Sequence, residues 1–512
     1  MRLQIEKGSD FETAIAQVGY GRYQGILLVV CGAIYSACAI GTTTLSFVLP
    51  SAECDFRMTS ADKGKLNATP LVGMVVGSYI WGNVADAIGR KRSLVAALLM
   101  DSLAALASSL SQTFPLFLFF RFFNGFGIIG ALSIVFTYFS EFLAAKNRDV
   151  MLCRLEIFWT LGVILLPGIA WVVIPRPWML GNIEGFSFSS WRMFVALCGM
   201  PSLIMTMILC FFPETPKYLM THGKMDRALV VMETMFAFNS GLDRSDYPVR
   251  SLINPTQIQR PSYKNESAIR RLRLRLGRIW EQKKIMFSPP YLRYISLTCF
   301  ADFGLMFSYY TLMLWFPELF ERFQNFYQVH SDRPSASVCD VSSIVVDGGK
   351  IECPKPIDST VFLYTLIIGL SCIPTSVSLS LLINKLEKKF LLIFSFMAAG
   401  FAALGLNVVK NSTQNLILSC IFEAVTSTTE VILFCVIVEL FPTSLRALAM
   451  SLTVTSGRLG AIAGNVVFGA LIDLNCIIPI YMFGTFLISS GILCIFIPKS
   501  PNKGLASPPM TP

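Results

Sequence analysis

The sequence is poor in ionisable side chains, and this shortage limits its chemistry. Of its 512 residues, two are histidine and 14% are charged, whereas 54% are hydrophobic. Catalysis needs a nucleophile with an oriented base, a phosphate-binding loop or a metal with its ligands, and no stretch supplies any of these. Both histidines, His222 and His330, lie in predicted loops. We therefore expect no enzymatic activity and no cofactor.

Metal-ligand spacing, a basic nucleic-acid surface and a signal peptide are missing as well. Most of the fourteen cysteines lie within apolar runs, where cysteine usually acts as a small hydrophobic residue. The net charge of +10 is gathered in particular loops. The first twenty residues are polar, which is not the pattern of a cleavable signal peptide. We predict neither a metal site nor a nucleic-acid partner.

The chain contains many long apolar runs. Its mean hydropathy of +0.60 indicates that lipid is its main solvent, and a helix needs about twenty apolar residues to cross a bilayer. Counting such runs predicts an all-α membrane protein with twelve transmembrane helices, whose two termini lie on the same side. The predicted helices are centred near Ala37, Val76, Leu103, Ile129, Ile164, Leu203, Leu305, Ile373, Ala399, Ser427, Ala461 and Leu487.

Lysine and arginine are concentrated in alternate loops. Loops rich in these residues are retained on the cytoplasmic side during membrane insertion. Residues 90–92, 146–148 and 385–389 are three such loops, and residues 213–290 contain fourteen Lys or Arg against seven Asp or Glu. We therefore place both termini in the cytoplasm. The sequence leaves open whether the membrane is the plasma membrane or that of an intracellular vesicle.

The long segment after the sixth run divides the chain into two halves. We expect a cytoplasmic linker at 213–292, in which five arginines between 270 and 278 alternate with leucine and isoleucine. This alternation predicts either a basic amphipathic helix lying on the anionic inner leaflet of the bilayer or a solvated linker helix. The other predicted boundaries are tails at 1–23 and 498–512 and six-helix bundles at 24–212 and 293–497.

The outer side of the membrane is predicted to carry one long loop at residues 318–359. Cys339 and Cys353 lie in this loop and could form a disulfide in an oxidising compartment, which would leave Cys54 without a partner. The sequon that begins at Asn411 falls in another predicted outer loop, where glycosylation is topologically possible.

Seven charged residues fall inside the predicted spans, where charge is costly and normally faces a cavity or a partner. Glu423 and Glu430 lie two turns apart in the tenth span, with four Ser or Thr residues between them. These carboxylates either bind a cation or exchange protons, or they pair structurally with Arg458. Arg458 could instead hold an anionic group of a substrate. The full set is Asp101, Arg121, Glu156, Asp302, Glu423, Glu430 and Arg458.

The first span contains hydroxyl groups but no charge between Gly25 and Pro50. Aromatic residues elsewhere could stack on a flat or cationic ligand, although packing and interfacial anchoring are the commoner roles of aromatic residues in membrane helices. These features favour a small organic solute, charged or aromatic, with protons or another coupling ion. The aromatic candidates are Phe158, Trp159, Tyr309, Tyr310 and Trp315.

A short polar turn joins the second and third spans. Gly82 and Asp86 are four residues apart, so they share one face of a helix, against which another helix could pack closely. Gly89 relaxes the turn, and Arg90 can supply Asp86 with a charge-assisted partner. Lys91 and Arg92 continue the run of cations.

An acid and an arginine seven residues apart recur at two places in the chain. Glu141 and Arg148 stand at the end of the fourth span, and Glu439 and Arg446 stand at the end of the tenth. Because the two places are six spans apart, the repetition predicts two parallel six-helix halves.

These motifs resemble those of the major facilitator superfamily over nearly the whole chain. Within it the sequence is similar to the synaptic vesicle glycoprotein two family and its insect relatives, with features shared by organic ion transporters, such as Ser456-Gly457-Arg458. Two departures are the absence of acids in the first span and a shorter outer loop. The stretches that carry the resemblance begin at Phe47, Gly73, Gly82, Arg121, Tyr138, Ser190, Pro213 and Glu439.

The resemblance implies a transporter that works by alternating access. It implies that Gly82, Asp86 and Arg90 brace the outward-open state and that two acid–arginine pairs close the cytoplasmic gate. A protein that keeps the fold as a non-transporting scaffold is the alternative. The implied gating residues are Gly82, Asp86, Gly89, Arg90, Lys91, Arg92, Glu141, Arg148, Glu214, Glu439 and Arg446.

Overall fold

The computed structural model describes residues 9–176, 188–253, 284–329, 338–343, 357–382 and 385–498. Twelve helices in this part of the chain are long and apolar enough to cross a membrane, which confirms the predicted number. Extended pairing among the described residues consists of a single parallel bridge between Ser9 and Leu252. The predicted amphipathic helix at 270–278 lies outside the described residues.

The first half of the sequence begins with a short helix and then forms six spans. The second and third spans are separated by one residue, Gly89, whose φ of +112° is a backbone conformation that side chains disfavour. The helices are α1 (Phe11–Val18), α2 (Arg22–Thr43), α3 (Leu45–Ser51), α4 (Glu53–Phe56), α5 (Ser60–Ile88), α6 (Arg90–Leu110), α7 (Phe114–Ser140), α8 (Ala145–Val173) and α9 (Ser190–Cys210).

The segment after α9 is folded where it is described. Two short helices follow the sixth span, and the second half then contributes six more spans and one short helix. These elements are α10 (Pro216–Thr221), α11 (Met225–Ser240), α12 (Tyr291–Val329), α13 (Val338–Ser343), α14 (Ser359–Leu382), α15 (Lys388–Gly405), α16 (Ser412–Leu440), α17 (Thr443–Asn475) and α18 (Ile477–Cys494).

Contacts divide the chain into two compact units, and their boundaries differ from the predicted halves. Unit 1 comprises the described residues of Met1–Thr43, Val72–Leu166 and Arg192–Ser267. Unit 2 comprises those of Thr44–Leu71, Pro167–Trp191 and Ala268–Pro512.

The start of α5 belongs to unit 2 for a steric reason. A side chain on Gly64 would approach the carbonyl oxygen of Asn465 to 2.6 Å, so the absence of a side chain allows α5 to pack on α17. In the same unit, the rings of Phe47 and Phe362 stack at 5.7 Å.

The predicted outer loop at 318–359 begins too early in the chain. Helix α12 continues to Val329, because Leu319, Phe320, Phe323 and Phe326 keep the helical spacing and are all buried. Pro317 lies inside the helix and does not end it.

The predicted disulfide is also wrong. Cys339 on α13 is bonded to Cys476, at the junction of α17 and α18, with their Cα atoms 5.3 Å apart. Cys54 is disulfide-bonded as well, so it does not lack a partner, while Cys353 lies outside the described residues. The sequence spacing suggested the nearest cysteine in the chain, whereas the fold brings α13 beside the end of α17.

Candidate functional site

Unit 2 contains a small polar cavity among its apolar helices. Its volume is about 30 Å³, which is enough for one or two water molecules. Three of its lining residues are charged and come from α12, α16 and α17. The lining residues are Leu71, Asp302, Met306, Tyr310, Glu430, Val454, Arg458 and Ala461.

Asp302 owes its position to a glycine on the neighbouring helix. A side chain on Gly457 would collide with the Asp302 carboxylate. Asp302 is 1% exposed, and within the described structure its Oδ1 has no hydrogen-bond partner. A buried carboxylate oxygen in that condition is costly, which is a mark of a functional site.

Of the two acids predicted on the tenth span, only Glu430 lines this cavity. Glu423 is buried beside Tyr309. The hydroxyls of Thr426 and Thr429 are buried and donate to the carbonyl oxygens of their own helix. These two hydroxyls therefore bond to the backbone of α16 and not to either carboxylate.

Unit 1 contains a separate buried cluster around Asp101. The Asn124 amide donates to Asp101 Oδ1 at 2.5 Å, and the Ser202 hydroxyl donates to Oδ2 at 2.5 Å. Arg121 donates from Nη1 to Asn124 Oδ1 at 3.2 Å and lies over the ring of Phe117. Asp101 and Arg121, which were both predicted from sequence, are thus connected through the side-chain amide of Asn124. The sequence gave no reason to select Asn124.

The turn at Gly89 forms the expected contact between Arg90 and Asp86, together with two contacts that were not predicted. Arg90 Nη1 lies 2.5 Å from Asp86 Oδ1, and Arg90 Nε lies 3.5 Å from Glu141. Glu214 Oε1 accepts a hydrogen bond of 2.9 Å from the backbone N–H of Lys91. These contacts gather three of the predicted gating acids around one turn.

Close packing at Gly82 is absent from the part of the chain that the structure describes, because a side chain there would meet no atom within 4 Å.

In the first acid–arginine motif the acid and the arginine contact different partners. Arg148 pairs at 3.0 Å with Glu12 of α1, while Glu141 accepts a hydrogen bond of 2.6 Å from the Thr215 hydroxyl. In the second repeat, Glu439 pairs with Lys388.

Arg446 has no ion pair among the described residues. In both repeats a turn separates the acid from the following helix, and each acid is paired with a group on another element instead.

A buried ionic network in unit 2 was missed by the sequence reading. Lys63 Nζ lies 2.6 Å from Glu318 and 3.1 Å from Glu53. Arg322 lies 3.0 Å from Glu318 and 2.9 Å from Asp473. The spacing of Glu318 and Arg322, four residues apart on a helix, was the available signal.

Charge in this network affects the pKa of Glu53, one of its two partly exposed acids. Burial and the neighbouring Glu318 carboxylate raise the pKa of Glu53 above its ordinary value, and Lys63 offsets part of that rise. Glu53 lies between two spans, whereas Lys63 and Glu318 are almost fully buried.

The sequon residue Asn411 caps the first turn of α16, where its side chain accepts a hydrogen bond from the backbone N–H of Gln414. Glycosylation at Asn411 stays a prediction.

Known proteins resemble the chain in both sequence and fold. The family model described as "Sugar (and other) transporter" matches residues 25–255. Human synaptic vesicle glycoprotein 2B is 25% identical over 98% of this chain and 88% of its own length. Rat synaptic vesicle glycoprotein 2A is 33% identical over 62% of this chain, but the match spans 44% of that relative.

Solved structures of xylose transporters are among those that match the fold. The xylose transporter XylE of E. coli, in a partially occluded inward open conformation, superposes with a TM-score of 0.65 over 93% of this chain and 98% of that one, at 16% identity. A D-xylose-proton symporter gives 0.63 over 94% and 100%, also at 16% identity. The chain therefore has a membrane-protein fold, with twelve candidate spans among its described residues, that resembles the fold of these transporters, and its sequence is similar to the synaptic vesicle glycoprotein 2 family.

Proposed function

We propose that the chain is a transmembrane transporter that carries a small organic solute, charged or aromatic, by alternating access. The observation that carries this proposal is the cavity of unit 2, where Asp302, Glu430 and Arg458 lie inside apolar helices. Charge at such a depth is costly and marks a substrate or ion pathway. The match to a family described as sugar and other transporters supports the same reading.

Coupling to protons is part of this proposal. A carboxylate in an apolar cavity can take up a proton as its surroundings change, and Asp302 and Glu430 are the two carboxylates available there. The name of one structural relative, a D-xylose-proton symporter, supports coupling of this kind. A different coupling ion would be bound by the same two acids.

Two groups of ion pairs would act as gates. The Lys63–Glu318–Arg322 network holds the start of α5 against α12, and the pairs around Arg90 lie near the opposite end of α5. We place the Arg90 end in the cytoplasm because of its Lys and Arg residues. Alternating access would require these two groups to form and break in turn.

An uptake experiment with an unlabelled metabolite mixture tests the proposal. Cells expressing the chain, with and without an imposed proton gradient, should accumulate at least one solute above control cells. Asp302→Asn and Arg458→Ala should each lower that flux by about tenfold or more, because each leaves a buried charge without its counterpart. Asp226→Asn, on the exposed surface of α11, is the matched control and should transport normally.

A non-transporting scaffold is the second candidate, and the absence of acids in the first span favours it. No accumulation of any solute, with normal amounts of protein in the membrane, would support the scaffold and refute transport.

A further inference from the structure

One carboxylate inside an apolar span is used neither by the cavity of unit 2 nor by the gates. Glu156 lies on α8 in unit 1, and its side chain is exposed although it stands within the transmembrane part of the helix. It accepts a hydrogen bond of 2.9 Å from the hydroxyl of Tyr35 on α2. Among the described residues, Lys and Arg form no ion pair with it.

The ring of Tyr35, whose hydroxyl binds this carboxylate, contacts aromatic rings on two other helices. The ring of Tyr35 lies 5.1 Å from that of Phe136 on α7, at an angle of 90°. It also lies 5.4 Å from the ring of Trp159 on α8, at 49°. The rings of Phe136 and Trp159 are both inclined to that of Tyr35, so neither forms a flat stack with it.

The helices that carry these residues are held at a fixed spacing. The Ser36 hydroxyl donates to the carbonyl oxygen of Phe158 at 2.5 Å, and a side chain on Gly162 would approach the Ser36 carbonyl oxygen to 2.6 Å. Helices α2 and α8 are therefore in direct backbone contact beside Tyr35 and Glu156. The site is rigid before any ligand arrives, which lowers the entropic cost of binding.

The chemistry of these four residues selects a positive charge. Aromatic faces carry partial negative charge and attract cations, and a carboxylate in an apolar span needs a proton or a cation to offset its charge. The Tyr35 hydroxyl occupies one carboxylate oxygen and orients the group. A neutral sugar would leave the carboxylate uncompensated, and an anion would be repelled.

We propose that Tyr35, Phe136, Glu156 and Trp159 form a binding subsite for an organic ammonium group. This inference rests on the proposed function and narrows its substrate class to organic cations. The three aromatic rings favour an alkylated ammonium over a small metal cation, since alkyl groups bury apolar surface against the rings.

Binding to the purified protein tests the subsite without requiring transport. The probes are tetramethylammonium, choline and benzyltrimethylammonium, and the neutral analogue 3,3-dimethyl-1-butanol has the shape of choline without its charge. Calorimetry or ligand-induced thermal shift should show choline binding about tenfold more tightly than its analogue. Equal binding of choline and its analogue, with no binding of the other two cations, would overturn the proposal.

Variants of the four residues separate a binding role from a structural one. Glu156→Gln should abolish the preference for choline over its analogue, and Glu156→Asp should restore part of it. Trp159→Phe should weaken binding less than Trp159→Leu, because phenylalanine keeps an aromatic face. Asp226→Asn serves again as the control and should bind choline normally.

Two outcomes distinguish this proposal from the proposed function. If Glu156→Gln changes the pH dependence of solute uptake but leaves ammonium binding intact, Glu156 is a proton site and the subsite is refuted while transport stands. If ammonium binding depends on Glu156 but no solute crosses the membrane, the subsite stands and transport is refuted.

Discussion

Single glycines determine how closely charged side chains approach neighbouring helices. Gly457 leaves room for the Asp302 carboxylate beside α17, and Gly460 lies next to the backbone of Phe303 on α12. The small residues do not bind anything themselves. They allow α12 and α17 to pack closely enough that Asp302 and Arg458 line one cavity.

Replacing Gly457 with alanine tests this packing. The added methyl group would collide with the Asp302 carboxylate, and overpacking of this kind typically costs about 1–3 kcal/mol. We expect Gly457→Ala to lower the thermal unfolding midpoint and the flux of any transported solute. Gly168→Ala is the matched control, because a side chain there would meet no atom within 4 Å. Equal midpoints for the two variants would contradict the packing argument.

Sequence analysis selected charged residues within apolar runs but did not identify their partners. Asp101 and Arg121 were chosen because charge inside an apolar run is rare, yet Asn124 and Ser202, which bind Asp101, are neutral and gave no signal. Arg148 was selected because an acid and an arginine recur seven residues apart, but its partner in the fold is Glu12. Partner choice depends on which elements meet in space, and one sequence does not encode that directly.

At the scale of elements, α1 is a helix of eight residues held by the segment that follows α9. Phe11, Ala14, Ile15 and Val18 form its buried face. The hydroxyl of Tyr247 is buried and donates to the carbonyl oxygen of Ala14 at 2.7 Å, while Glu12 pairs with Arg148 at a more exposed position. A helix this short is not stable alone in water, so these contacts hold it in place.

The Tyr247–Ala14 hydrogen bond and the Glu12–Arg148 ion pair should stabilise α1 to different extents. Tyr247→Phe removes a buried hydrogen bond and should cost about 1 kcal/mol, whereas Glu12→Gln removes a partly exposed ion pair worth about 0–1 kcal/mol. Hydrogen exchange of residues 11–18, followed by mass spectrometry, should therefore accelerate more in Tyr247→Phe than in Glu12→Gln. The reverse order would mean that Arg148, and not the buried face, holds α1.

Spans were easier to predict than the points at which they end. The twelve apolar runs were sufficient to count the membrane helices, because about twenty apolar residues leave few alternatives. The end of α12 was misplaced because Pro317 and Glu318 resemble the edge of a membrane, although Glu318 is buried against Lys63. From sequence alone, a buried charge that is paired with a residue on another helix cannot be distinguished from a charge that faces water.

At the scale of the whole molecule, the Lys63 network joins residues from both halves of the sequence within unit 2. Lys63 precedes the long linker and Glu318 follows it, and both are buried. Removing one partner of a buried ion pair is costly because the other charge is left in an apolar environment. The contribution of each acid to the free energy of unfolding should therefore depend on how many Lys or Arg side chains it pairs with.

Glu318→Gln and Glu53→Gln should consequently differ in their effect on the free energy of unfolding. Glu318 contacts both Lys63 and Arg322, so Glu318→Gln should cost about 3–5 kcal/mol. The pKa of Glu53 is raised above its ordinary value, so its contribution to stability is complete below the ordinary pKa and is lost as pH rises through the raised one.

Thermal unfolding from about pH 3.5, which is below the ordinary pKa of glutamate, to about pH 8 measures this difference. Glu53→Gln should match the unsubstituted chain at the acid end and equal or exceed it at pH 8. A lower midpoint for Glu53→Gln at pH 8 would show that Glu53 is stabilising as a carboxylate.

The Cys339–Cys476 disulfide has a consequence for how the chain is made. The two cysteines are separated by 137 positions, so a ribosome that has just completed Cys339 must still synthesise four membrane helices before its partner exists. Throughout that interval the Cys339 thiol remains open to exchange with other cysteines and with cellular oxidoreductases. The bond between Cys339 and Cys476 can therefore form only after α17 has been synthesised, which makes it a late event in biogenesis.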